Sequence, residues 1–201
     1  MSDKYNKRMY TIGEFYKILY YALRNMKYLR RAKKSKDMDN KFFERIMLAV
    51  TEVNGCEICS YKHTEVALKE GMSQEEINSI LSGSMDNIPT NESIAIFFAQ
   101  HYAENKGKPS QEAWLRVVDT YGESKALAIL GAIRVIMIGN SYGIAVGALF
   151  NRLKGKRVKK NNLGYELGMT FVIIPFIPIV IVHSIMSKIT KKPLIEFNKQ
   201  K

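Results

Sequence analysis

The pattern of apolar and polar residues along this chain predicts helices almost throughout. Alternation with a period of two, which would indicate strands, is nearly absent. In the first predicted helix, over residues 12–34, apolar residues recur every three or four positions and basic residues occupy the opposite face. Thr11 and Glu14 have the spacing of a capping box at the start of this helix. We therefore predict an all-α fold that begins with a basic amphipathic helix.

Capping residues and glycines divide the middle of the chain into further predicted helices. Each predicted start has a short polar residue that can cap a helix N-terminus: Asp39, Ser73, Thr90 and Ser110. Glycines stand at the expected ends of most of the predicted helices: Gly55, Gly71, Gly83 and Gly122. One more helix is predicted to begin near Cys56, directly after the first of these glycines.

The longest predicted helix, over residues 123–153, is mostly apolar. Arg134 lies near its centre, and a charge at that position would be costly inside a membrane. We therefore interpret this segment as the core helix of a globular domain. Gly139, Gly143 and Gly147 are four residues apart on one face, which would let another backbone approach closely. This feature predicts self-association through this helix or through the first one.

A second apolar segment lies near the C-terminus. Residues 167–187 contain no Asp, Glu, Lys or Arg. As a helix they would span about 31 Å, close to the thickness of a bilayer core. Pro175 and Pro178 would kink such a helix. Two interpretations remain open: the segment contacts a membrane, or it is a helix that packs on the domain or on another copy of the chain.

Charge is distributed unevenly within the net charge of +12. Residues 1–36 and 152–201 each carry about +9, whereas the region between them carries about −6. We therefore predict four parts: a basic amphipathic N-terminal helix over 1–36, a helical domain over 37–153, a basic linker over 154–163, and a hydrophobic segment with a basic tail over 164–201.

The two basic ends suggest where the protein works. No nucleic-acid-binding motif accompanies them, so an anionic membrane surface is the expected partner rather than nucleic acid. The polar, basic start of the chain lacks the pattern of a secretory signal. We expect a cytoplasmic protein, with residues 164–201 as the segment that would associate with a membrane.

The residues capable of chemistry are concentrated in one short stretch. Cys56 and Cys59 are the only two cysteines, and His63 follows four residues later. On a helix these three side chains share one face. A helix N-terminus favours thiolate over thiol, a Cys-x2-Cys pair can close a reversible disulfide, and a nearby histidine can move protons. A carboxylate would orient that histidine, and Glu44 and Glu52 on the preceding helix are the candidates.

This stretch resembles a known family. Glu44, Cys56, Cys59 and His63 have the spacing of the signature of alkylhydroperoxidase D-like proteins, within the carboxymuconolactone decarboxylase superfamily. The resemblance covers about residues 38–150 and implies an all-helical fold that assembles as a trimer or hexamer. It also implies a thiol peroxidase or disulfide reductase. For such chemistry we expect no cofactor and no bound metal.

The resemblance also implies a role for each of these residues. Cys59 would attack the peroxide, Cys56 would resolve it, and Glu44 with His63 would form a proton relay. The expected partners are a hydroperoxide substrate and a dithiol reductant, such as a lipoyl or thioredoxin-like protein. Well-studied members have a histidine just before the second cysteine, where this chain has Ile58, so the relay would be shorter here. True carboxymuconolactone decarboxylases lack the cysteine pair, so the lactone reaction is not expected.

Two other functions fit the sequence. A metal-binding module would place the two cysteines, His63 and either Glu44 or His101 around zinc, although a structural zinc site usually has a second Cys/His pair. A non-enzymatic, membrane-associated scaffold would oligomerise through its helices and bind lipid through its basic ends. Glu52 and His101 are more simply explained as structural residues, and Asn140 is a candidate to line a pocket. The thiol-disulfide oxidoreductase is the main hypothesis.

Overall fold

The computed structural model describes residues 7–84, 86–156 and 161–198, which form eight α-helices and no β-strand. The all-α prediction is confirmed. In chain order the helices are α1 Ile12–Ser35, α2 Asn40–Asn54, α3 Glu57–Lys69, α4 Gln74–Leu81, α5 Thr90–Glu104, α6 Gln111–Leu153, α7 Leu163–Phe171 and α8 Ile173–Ile189. Residues 1–6 of the predicted N-terminal part, 157–160 of the predicted linker and 199–201 of the predicted tail lie outside the described residues.

The long helix α6 is the centre of the fold, and α1, α2, α3, α5 and α7 all contact it. α1 crosses α6 closely at Gly131, where a β-carbon would lie 3.1 Å from Cβ of Leu29. Arg134 is buried here and donates hydrogen bonds to the hydroxyl of Tyr102, the side-chain oxygen of Asn25 and two backbone carbonyls. The interpretation of this segment as a buried core helix is therefore supported, because two thirds of its most apolar window is buried.

The capping residues and glycines predicted most helix ends, but the cap of α5 and the capping box of α4 differ from the prediction. The Thr11–Glu14 capping box is present, and Gly122 interrupts α6 with a positive φ of 72°. Thr90 is the first residue of α5 rather than its cap, because Pro89 takes the capping position and makes no side-chain hydrogen bond. At α4, Ser73 caps the helix as predicted, but the carboxylate of Glu76 binds Arg45 instead of returning to the cap.

Arg45 follows Glu44 on α2 and links this helix to α4 and α5. Its guanidinium contacts Glu76 on α4 at 2.5 Å and Glu92 on α5 at 2.9 Å, and all three side chains are nearly buried. Burial raises the pKa of the Glu92 carboxyl above its ordinary value of 4.5, and Arg45 opposes that shift. Without Arg45, a charged Glu92 would have no counter-ion in a poorly solvated position.

Arg45→Met is expected to lower the free energy of unfolding by about 3 kcal/mol at pH 8, because it leaves two nearly buried carboxylates without their partner. The deficit should shrink as the pH falls towards 5, because Glu92 of the variant then binds a proton and loses its unpaired charge. Urea unfolding at both pH values measures this. The control is Arg116→Met, whose exposed pair with Glu112 should contribute little. A deficit independent of pH would contradict this account.

The C-terminal apolar segment is a bent pair of helices. α7 and α8 meet at an angle of 47° around Val172, so residues 167–187 do not form one straight helix. One face of α8 packs on α1, where Tyr20 donates a hydrogen bond to Ser187 at 2.8 Å and Val180 is buried. By length and composition, α6 could cross a membrane, and α7 with α8 could do so as one bent span.

Candidate functional site

A tight turn between α2 and α3 brings the two cysteines together. Gly55 ends α2 with a positive φ of 70°, a conformation that favours glycine, and Cys56 then caps α3. Sγ of Cys56 accepts a hydrogen bond from the backbone N–H of Cys59 at 3.3 Å. The two sulfurs are bonded as a disulfide, with the Cα atoms 5.3 Å apart. The predicted pair therefore lies at the positive end of a helix, where a thiolate is favoured.

The predicted carboxylate and imidazole are in direct contact. Oε2 of Glu44 on α2 lies 2.7 Å from Nδ1 of His63 on α3. Glu44 is buried, whereas the His63 side chain remains 21% exposed. This contact orients the ring and leaves Nε2 on the side of the ring away from the carboxylate.

Two glycines of α6 make room for the cysteine turn. A β-carbon on Gly143 would lie 2.9 Å from Sγ of Cys56 and 3.1 Å from Sγ of Cys59. A β-carbon on Gly147, one turn later, would lie 3.1 Å from Cδ1 of Ile58. The close backbone approach predicted from these glycines therefore occurs within the chain, between α6 and α3. The sequence showed that a backbone could approach this face of α6, but it did not show that the approaching helix is α3.

Gly143→Ala is expected to destabilise the oxidised protein by about 2 kcal/mol, because the bonded sulfurs cannot turn away from the new methyl group. The reduced protein should lose less, since each free thiol can adopt another rotamer. Urea unfolding of both redox forms measures the difference. Gly139→Ala is the matched control: its nearest neighbour would be 3.7 Å away, and alanine favours a helix, so it should be neutral or stabilising. Equal losses in the two redox forms would show that Gly143 does not act through the disulfide.

Two grooves adjoin the turn that carries the disulfide. Cys56 is 1% exposed and Cys59 is 8% exposed, so Cys59 is the more accessible sulfur. Ile58, which stands where well-studied relatives have histidine, is 47% exposed. It lines two grooves, one of about 270 Å³ against α6 and one of about 730 Å³ between α3 and α4. Ile58 is therefore shared by both grooves.

The other residues considered from the sequence have structural partners. Glu52 pairs with Lys7 at 2.6 Å. Nε2 of His101 accepts a hydrogen bond from the backbone N–H of Ser110 at 3.0 Å, which closes the turn before α6. Asn140 is fully buried and accepts a hydrogen bond from Thr51. Within residues 7–84, 86–156 and 161–198, no group of three or more His, Cys, Asp or Glu side chains is placed to hold a metal ion.

Comparison with known proteins gives one match. Residues 20–86 match the model of the carboxymuconolactone decarboxylase family. The resemblance stated from the sequence is thus confirmed over this segment. The match covers about a third of the chain, begins within α1 and includes all four signature residues. It starts earlier and ends earlier than the 38–150 expected from the resemblance. No curated protein and no solved structure matches the chain.

Proposed function

We propose that this protein is a thiol-disulfide oxidoreductase that reduces hydroperoxides. The observation that carries the proposal is the combination, in one matched segment, of a Cys56–Cys59 disulfide at the N-terminus of α3 with a Glu44–His63 hydrogen bond one helical turn further along α3. A disulfide between neighbouring turn positions can store two electrons, and an oriented imidazole can supply or remove the proton that each step requires.

The reaction begins with the reduced pair. The thiolate of Cys59 attacks the outer peroxide oxygen, the O–O bond breaks, and Cys59 becomes a sulfenic acid while the alkoxide takes a proton and leaves as an alcohol. The thiol of Cys56 gives up its proton and attacks the sulfur of Cys59. The disulfide forms, and the hydroxyl of the sulfenic acid leaves as water. Two electrons and two protons from an external dithiol then restore both thiols.

The structure supports Cys59 as the attacking sulfur because it is more exposed than Cys56. His63 is the group that would take the thiol proton and deliver a proton to the leaving alkoxide. Glu44 acts through His63: it holds the ring and stabilises the imidazolium. Because Glu44 and His63 are in direct contact, the proposed relay needs no histidine at position 58.

The proposal includes partners of stated chemistry. A dithiol reductant, such as a lipoyl or thioredoxin-like protein, would dock on the two grooves that Ile58 lines, next to the turn that carries the disulfide. We also propose that the protein works as a homo-oligomer, a trimer or hexamer, as the resemblance implies. Sedimentation velocity measures the second point directly.

The test of the function is peroxide consumption by the purified, metal-free protein. With dihydrolipoamide as reductant, we expect turnover of an alkyl hydroperoxide. Without any reductant, the pre-reduced protein should consume one equivalent and stop, with the loss of two titratable thiols. Suppose that the protein fails to consume peroxide while a disulfide substrate still oxidises Cys56 and Cys59 to their disulfide. That result would exclude the peroxidase activity and leave the disulfide reductase chemistry.

A further inference from the structure

The outward face of α8 is an unusually apolar surface. Its residues from Ile174 to Ser187 include no charged side chain. The apolar side chains that remain at least 44% exposed are Ile174, Ile177, Ile179, Ile181, Val182, Ile185, Met186 and Ile189. Soluble monomers rarely expose contiguous apolar patches of more than a few hundred Å². We call this surface the α8 face.

The α8 face stays outward because the opposite side of the helix is held in place. Tyr16 and Tyr20 of α1 contact His183 and Ser187, each at 2.8 Å. Beyond α8, Arg24 donates hydrogen bonds to the backbone carbonyls of Lys192 and Pro193. The helix can therefore present its apolar side to a partner without leaving α1.

A basic groove lies at one end of the α8 face. It has a volume of about 380 Å³ between α1 and α8, and no carboxylate lines it. Five cationic residues line it: Arg24, Lys27, Lys188, Lys191 and Lys192. Among the residues that the structure describes, none of the five forms an ion pair. The buried hydroxyl of Ser184, also in the lining, has no hydrogen-bond partner in that part of the chain.

We propose that the α8 face and the basic groove together bind the surface of an anionic phospholipid bilayer. α8 would lie in the plane of the interface, with its apolar side chains among the acyl chains and a lipid phosphate in the groove. Apolar burial and attraction to anionic lipid reinforce each other in this mode of binding, and neither alone gives more than marginal affinity. A 17-residue helix offers about 25 Å of contact along the membrane.

Charge favours a bilayer over a second copy of the chain. A second copy offers the same apolar face and the same five cations, so pairing the two α8 faces supplies no carboxylate to these cations. A phospholipid surface instead offers the opposite charge next to an apolar phase. The in-plane arrangement also keeps the hydrogen bonds of α8 to α1, which a membrane-spanning α8 would break.

Vesicle flotation of the full chain tests the proposal, since Glu166, Met169 and Val180 are buried and a truncation would expose their partners. We expect binding to phosphatidylglycerol–phosphatidylcholine vesicles and little binding to phosphatidylcholine alone. The triple variant Lys188→Gln/Lys191→Gln/Lys192→Gln should bind about 100-fold more weakly, at about fivefold for each cation, and the difference should shrink at high salt.

A second variant tests the apolar contribution. Ile181→Ser/Ile185→Ser should weaken binding at least about tenfold, and this loss should persist at high salt. Both residues are exposed, so thermal unfolding should show an unchanged fold. The matched controls lie outside the α8 face and should bind as the native chain does: Lys62→Gln/Lys69→Gln/Arg116→Gln for charge, and Phe97→Ser/Leu115→Ser for exposed apolar side chains.

Four results would overturn the proposal. The first is no binding to anionic vesicles. The second is that the control variants weaken vesicle binding as much as the α8 variants do, which would mean that binding depends only on net charge or overall hydrophobicity. The third is a lipid-free dimer that Ile181→Ser/Ile185→Ser dissociates, which would make the α8 face a subunit interface. The fourth is binding to a DNA or RNA duplex in preference to the vesicles. The thiol chemistry is measured separately, so its failure leaves this test intact.

Discussion

Cys59→Ser is expected to abolish peroxide reduction, with a fall in rate of at least about 10⁴-fold. Serine places a hydroxyl where the proposed mechanism needs a thiolate, and a hydroxyl at neutral pH is neither ionised nor a competent acceptor of the peroxide oxygen. The helix N-terminus that favours a thiolate cannot lower a hydroxyl pKa far enough. Steady-state consumption of an alkyl hydroperoxide with dihydrolipoamide measures the loss.

Cys56→Ser is the matched variant, because it removes the other sulfur of the same turn. It should also lose turnover, but the pre-reduced protein should still consume one equivalent of peroxide and stop at a sulfenic acid on Cys59, which dimedone would trap. If Cys56→Ser is inert in this single turnover while Cys59→Ser is active, the two roles are reversed. If both variants turn over at the native rate, the reaction does not use this pair.

Glu44→Gln is expected to slow peroxide reduction about 500-fold, within the range that acid–base catalysis contributes. Glutamine preserves the shape and can still accept a hydrogen bond from Nδ1 of His63, but it cannot stabilise the imidazolium that forms when the ring takes the thiol proton. The thiolate of the attacking cysteine should therefore form at higher pH, and its rate of alkylation should titrate with a higher apparent pKa than in the native chain.

The alkylation profile separates this role from a structural one. Glu52→Gln changes a carboxylate on the same helix that pairs with Lys7 rather than with His63, so it should leave both the peroxide rate and the alkylation profile unchanged. A Glu44→Gln protein that is slow but has a native alkylation profile would mean that Glu44 acts only by holding α2 and α3 together. His63→Gln should reproduce the defect of Glu44→Gln, and the double variant should be no worse than either.

The helices and the reactive pair were predictable because their signals are local. A capping residue, a glycine at positive φ and an apolar period of three to four residues act within one or two turns, and they placed the ends of α1, α2 and α4 within one or two residues. The spacing of Cys56 and Cys59 likewise determines by itself that the two sulfurs can meet across one helical turn. A family resemblance then connected Glu44 and His63, which are 19 residues apart, and the structure places them in contact.

Tertiary packing decided what each of these signals was used for. Gly143 is 84 residues from Cys59 in sequence, so only the docking of α6 against α3 shows that its missing side chain makes room for the disulfide. Glu76 has the local pattern of a capping box, but a charge-assisted contact with buried Arg45 is stronger than a hydrogen bond to an exposed helix end. The uncharged segment near the C-terminus was equally compatible with lipid and with a protein core. In the structure, one side of α8 packs on α1 and the other side is exposed. This difference depends on where the helix docks, and the apolar pattern of the segment does not predict it.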